Sequence, residues 1–184
     1  GSMALDGGVV SVPTIDLDAG GQLDLLGGSL HTTHIVGDAT NLGARLCPGM
    51  SPDLLLVEGD YAQNGTATLE IELAGLVRGS EYDALDVLGD LVLGGGLEVV
   101  LLDGFQPSAG NTFQILSWEG ELTGAFDAIG LPTLDDPDLR WLTDRLYDDG
   151  SIAVYSMAAA IPEPATVALF GLGLAALARR RRRV

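Results

Sequence analysis

The chain has 184 residues, of which 26 are Asp or Glu and 9 are Arg, with no Lys, and its mean hydropathy is positive at +0.30. Five Arg sit at positions 179–183, so residues 1–178 hold 4 Arg against 26 acids, a net charge of −22, and the last six residues hold +5. Such an acidic body repels phosphate backbones, which excludes nucleic-acid binding, and the apolar content with 26 unphased Gly excludes both a disordered and a collagenous chain.

The chain opens Gly1-Ser2-Met3, which reads as the scar of a removed expression tag (residues 1–3), and no basic stretch followed by an apolar one comes after it. If the natural protein is exported, its signal is expected to have been trimmed ahead of Gly1, and its absence carries no information. Residues 4–155 read as short apolar alternations separated by Gly, Asn and Asp. Gly20-Gly21-Gln22-Leu23 and Gly27-Gly28-Ser29-Leu30 repeat a Gly-Gly-x-Leu pattern at seven residues. Gly-Asp pairs then begin at 37, 59 and 89, with Val36, Val57 and Val87 ahead of them. Leu69-Glu70-Ile71-Glu72-Leu73 alternates as a half-buried strand, and Leu97-Glu98-Val99-Val100-Leu101 nearly copies it. An Asn64-Gly65 turn leads into the first and Gly94-Gly95-Gly96 into the second.

Inexact repeats of 20–30 residues, each with one or two short strands, predict a stacked β-solenoid, because a single rung cannot bury its apolar face alone. About six or seven rungs at ~20–25 residues each fit the body. The expected fold is all-β: a single-stranded right-handed parallel β-helix over 4–155, a linker over 156–161, and a short C-terminal hydrophobic helix within 162–184. The segment 138–146 has room for one or two helical turns and reads as a loop or terminal cap.

Few residues carry chemistry. His31 and His34 face opposite sides of any regular strand and are expected as surface histidines in a loop, not as joint metal ligands. The solitary Cys47 excludes an internal disulfide and a multi-Cys zinc site, and burial is expected for it over an intermolecular bridge. Asp135, Asp136 and Asp138 are weak Ca²⁺ candidates, as is the pair Asp148-Asp149. Their spacing is not that of an EF-hand, so solvated acidic loops are the plainer reading. No nucleophile elbow, phosphate loop or dinucleotide fingerprint occurs, so no catalytic residue and no cofactor are expected.

The C-terminus is more specific. Ile161-Pro162-Glu163-Pro164 precedes a 14-residue apolar run over 165–178, in which Thr166 is the only hydrogen-bonding side chain. As a helix the run spans about 21 Å, short of a comfortable crossing of a bilayer core. Pro162 and Pro164 prevent its extension backward. Arg179, Arg180, Arg181, Arg182 and Arg183 then form a cytoplasmic stop, which leaves the body outside the cytoplasm. These three parts together resemble the PEP-CTERM sorting signal of exported bacterial proteins. The resemblance implies recognition and cleavage near Pro162, Glu163 and Pro164 by a membrane-embedded exosortase-type transpeptidase.

A second resemblance runs over roughly residues 25–130. Pro48-Gly49-Met50-Ser51-Pro52, Leu56-Val57-Glu58-Gly59-Asp60-Tyr61, Tyr82-Asp83-Ala84-Leu85-Asp86-Val87, Gly95-Gly96-Leu97-Glu98-Val99, the stretch 104–116 and Gly124-Ala125-Phe126-Asp127 follow one another. In that order they are similar to autotransporter passenger-type β-helical repeats. The chain departs from them by Asp53 where Gly is usual, by Cys47 before Pro48, and by having no C-terminal barrel. Together the two resemblances imply a non-enzymatic structural or interaction protein at the cell surface or in extracellular matrix. It would be transiently anchored in the inner membrane and associated with exopolysaccharide or biofilm, and self-association through end rungs is expected. The alternative is a polysaccharide-binding or polysaccharide-cleaving module, which needs Trp118, Trp141 or a Tyr beside clustered carboxylates.

Overall fold

A computed structural model describes residues 1–17, 20–50 and 52–157. Among them every regular element is a strand. The first levels hold β1 (Ser2–Ser11), β2 (Thr14–Asp16), β3 (Gln22–Thr32) and β4 (His34–Val36), and the next hold β5 (Asp38–Asn41), β6 (Arg45–Pro48) and β7 (Leu54–Val57). β8 (Tyr61–Gln63), β9 (Thr68–Leu73), β10 (Ala84–Val87), β11 (Leu91–Leu93), β12 (Gly96–Leu101), β13 (Thr112–Gln114) and β14 (Leu116–Trp118) follow. The chain then makes β15 (Leu122–Gly124), β16 (Ala128–Gly130), β17 (Leu139–Leu142) and β18 (Ser151–Ser156).

Parallel pairing stacks these strands into three columns that curl around one core. One column runs β3, β5, β8, β11, β15; a second runs β3, β6, β9, β12, β16; a third runs β2, β4, β7, β10, β14. β3 is long enough to serve both of the first two columns, its start pairing β5 and its end β6, and β1 lies along its whole length. Alternation in each strand sends every second side chain inward, so equivalent positions stack into apolar rows. Leu30, Leu46, Leu69, Leu97 and Ile129 form one such row, and Ile15, Ile35, Val57, Val87 and Trp118 another. Burying each Leu or Val stabilises by roughly 1.5–3 kcal/mol relative to exposure.

The two alternating copies found in the sequence lie directly on one another, Leu69 on Leu97, Glu70 on Glu98 and Ile71 on Val99. Two sequence patterns are placed and one expectation is corrected. The Gly-Gly heptad marks no rung repeat: Gly27 and Gly28 lie inside β3, where Gly28 has φ +84° and Gly8 and Gly7 of β1 crowd the place of a side chain. Val36 is not the partner of Val57, because Ile35 takes that inward seat. The segment 138–146, expected as a loop or terminal cap, is in part a strand: Leu139–Leu142 is β17, and turns follow it.

β13, β18 and β17 form a separate antiparallel sheet, joined to the stack where Ile115 and Leu116 N–H groups both donate to the Gly150 carbonyl, at 2.9 and 3.1 Å. Its core is aromatic. The ring of Phe113 meets Tyr82 edge-on at 5.3 Å and Phe105 edge-on at 6.2 Å, with Trp141 tilted against it at 6.2 Å.

Candidate functional site

The Gly-Asp repeat builds a corner between the third column and the first. Gly59 N–H donates to the Gly37 carbonyl at 3.2 Å, Gly89 to Gly59 at 3.1 Å and Gly120 to Gly89 at 3.0 Å. Beside this backbone ladder, Asp60 N–H donates to Asp38 Oδ1 at 3.0 Å, Asp90 N–H to Asp60 Oδ1 at 2.8 Å and Glu121 N–H to Asp90 Oδ1 at 2.8 Å. Glycine is required because a Cβ at Gly89 would lie 2.2 Å from Asp60 Oδ1. Gly120-Glu121 is a further copy that a search for Gly-Asp misses, since Glu supplies the same N–H. The short acidic side chain is thus structural, a satisfied cap on each level.

Interior corners use neutral amides. Asn41 Nδ2 donates to the Ala44 carbonyl at 3.1 Å, and Gln63 Nε2 donates to the Gly94 and Gly96 carbonyls at 2.9 Å each. Between them the buried Tyr61 hydroxyl donates to Gln63 Oε1 at 3.0 Å. Asp83 is fully buried and accepts from the N–H groups of Asp53 at 2.7 Å and Glu72 at 2.8 Å. Burial outweighs those two donors and pushes its pKa up to about 8. Nothing in the sequence distinguished this carboxylate from the other 25 acids.

On the outer face of the second column Arg45 pairs with both Glu70 and Glu98, the latter at 2.8 Å. Cys47 is buried beside Glu70, Sγ to Oε1 at 3.5 Å, and burial with that carboxylate pushes its thiol up to about 12. It is a packed apolar residue, unfit as a nucleophile at neutral pH. His31 is the penultimate residue of β3 and pairs with Cys47 of β6, while His34 opens β4 and contacts Glu58, Nε2 to Oε1 at 2.8 Å. The histidines therefore sit in strands, not in a loop, on separate columns.

Asp135, Asp136 and Asp138 are exposed in the segment leading to β17, where Asp136 Oδ1 accepts the Asp138 N–H at 2.8 Å in a local turn. Among the described residues no group of three or more His, Cys, Asp or Glu converges as metal ligands. Trp118 and Trp141 lie on different grooves. Gln114, Ser117, Trp118, Asp148 and Asp149 line a shallow one of about 200 Å³. The other, about 440 Å³, is walled by Pro132, Leu134, Leu139, Trp141 and Arg140, with Asp135 and Thr133 also lining it.

Pro162, Glu163, Pro164, the apolar run expected as a helix and the Arg cluster at 179–183 lie outside the described residues. No helix among the described residues is long and apolar enough to cross a membrane. Residues 160–183 match the PEP-CTERM protein-sorting motif. That motif implies an exported protein, held at the membrane and processed there by an exosortase transpeptidase. No curated protein and no solved structure matches the chain.

Proposed function

We propose that the body is a non-enzymatic structural or interaction module that works at the cell surface or in the extracellular matrix. The observation that carries this reading is the sorting motif at 160–183 joined to a stack whose polar groups are spent on its own architecture. The ladder acids cap corners, Arg45 and Arg78 are ion-paired, and Cys47 is buried. The columns of parallel strands support a single-stranded right-handed β-helix of autotransporter passenger type. β1 supports self-association, because its outer edge has no strand neighbour among the described residues. The acidic exterior suits contact with exopolysaccharide or biofilm matrix through bridging divalent cations.

Coexpression with a cognate exosortase, behind an export signal, tests the delivery step. The protein shortens near Pro162 if the reading is right, and an intact Arg-terminated product makes the tail a plain anchor. Cosedimentation with purified exopolysaccharide, with and without Ca²⁺, tests the matrix role, and a protein left wholly in the supernatant defeats it.

A second reading, polysaccharide binding, draws on one arrangement: Trp118 beside Gln114, Ser117, Asp148 and Asp149 in one groove. An aromatic face next to hydrogen-bonding groups suits a sugar ring. A glycan array on the full chain and its Trp118→Ala variant separates the two readings, since only this one expects a saccharide signal that the variant loses.

A further inference from the structure

The two ends of the stack are finished differently. At the C-terminal end the Phe126 N–H donates to the Tyr147 hydroxyl at 3.2 Å, their rings lie 6.5 Å apart, and Phe126 and Leu146 are buried. The strands that end the first two columns there, β15 and β16, are three residues each. At the N-terminal end β1 runs for ten residues and pairs with β3 alone, so no strand among the described residues takes its outer edge. Leu5 and Val10 head the apolar rows of Leu25 and Leu30, yet are only half-buried where those two are sealed. Val9 is 72% exposed.

An end of this kind offers unpaired backbone groups and uncovered row heads together, and a further strand answers both. Its charge selects whose strand. Asp6 is the only charged side chain of β1, although residues 1–178 carry −22, so two copies meet here with least repulsion. The opposite end of a second copy presents short strands and a closed core, whereas its N-terminal end presents the same long edge. Gly7 and Gly8 turn the middle of β1 at φ +105° and +76°, and nothing lies within 4 Å of a Cβ built on either. Bare backbone at that corner lets a second chain come close.

We propose that two copies join head to head through β1, in an antiparallel pair whose twofold axis passes between Asp6 and Gly7. Ala4 then lies opposite Val9 of the second copy, Leu5 opposite Gly8, and Asp6 near the other Asp6 across the axis. This pairing uses each edge once and closes, so growth stops at the dimer, whereas unlike ends stack into an open fibre. The proposal rests on the self-association reading and gives it a partner surface and a limit. Such a dimer carries its two C-terminal sheets at opposite ends, which suits a link between two surfaces rather than a lengthening filament.

The test uses the full chain in density-matched detergent, with micelles in large excess so that chains do not share one by chance. Sedimentation should show a monomer–dimer equilibrium and no larger species. In a mixture of Ala4→Cys and Val9→Cys, oxidation should give a disulfide-linked dimer that neither variant gives alone, because opposite residues of an antiparallel pair lie about 4.5–5.5 Å apart at Cα. Both positions are exposed and Cys47 is buried, so neither misfolding nor a stray thiol decides the result. Asp6→Asn should tighten the dimer about two- to fivefold at low salt, as for one exposed charge pair. Leu5→Asp should weaken it about tenfold or more by placing a charge beneath the second copy. Any assembly, dimer or larger, that lacks the cross-link between positions 4 and 9 overturns the head-to-head pairing and leaves self-association standing, as does equal cross-linking within each variant alone. Monomers at every concentration overturn both.

Discussion

The parallel stack and the antiparallel sheet keep water out by opposite means. In the stack the work is divided: most levels contribute a Leu, Ile or Val to each row, with Trp118 ending one row and Tyr61 filling a seat in another, and a carboxylate or amide caps successive corners. In the sheet it is concentrated on Phe113, which meets Tyr82, Phe105 and Trp141 at once. Redundancy protects the first region from single losses of apolar area, while the second depends on one ring. The stack is vulnerable instead at its corners, where two backbones and a carboxylate meet with no room to spare.

The largest effect should come from the concentrated region. Phe113→Ala removes the shared ring and should cost about 4 kcal/mol, read as a drop in the denaturation midpoint. A loss no greater than that of Val99→Ala in a row would erase the contrast. The pH response probes the stack. Asp83 is ordinarily 3.8 and is raised to about 8 in the fold, so the folded state holds a proton that the unfolded chain releases between those values. Stability should therefore be full at the acid end of that window and fall as pH rises through about 8, by up to about 1.4 kcal/mol per pH unit. Urea denaturation from pH 5 to 8 checks the sign, and Asp83→Asn should flatten the curve.

Corner crowding comes next. Gly89→Ala places a methyl against Asp60 Oδ1 and the Gly59 carbonyl and should cost about 2 kcal/mol, while the same change at exposed Gly104, where nothing lies within 4 Å of the new atom, should cost less. Gly104 has φ +72°, so that control still carries some backbone strain. Asp90→Ala strips one cap from the Glu121 N–H and should cost about 1 kcal/mol. Last comes Arg45→Gln. Its pairs with half-buried Glu70 and exposed Glu98 should together contribute about 1 kcal/mol, fading with added salt.

Periodicity made the stack legible wherever a level repeats a local pattern. Leu69 to Leu73 and Leu97 to Leu101 announced both their strand nature and their superposition. Where a local pattern and the level repeat differ it is a weaker guide: of the two Gly-Gly pairs only Gly27-Gly28 lies inside β3, and Ile35, not Val36, stacks on Val57. β17 was illegible because Asp138 to Leu146 has no clean alternation, and its strand character comes from pairing with β18, a contact distant in sequence. Asp83 was hidden for a related reason: its donors, Asp53 and Glu72, belong to other levels. The sorting motif needed no fold to be read, since its three parts are contiguous.

Gly-Asp pairs begin at 37, 59 and 89, so successive levels are 22 and 30 residues long, yet each reaches the same corner with the same contacts. The corner therefore acts as a splice point. Sequence between one pair and the next is free to lengthen, and the residue 74–83 excursion between β9 and β10 is such an addition. A gene duplication cut from one Gly-Asp to the next would yield a module that seats on its own copy without a new interface having to evolve, which gives a protein of this kind a simple route to growing longer.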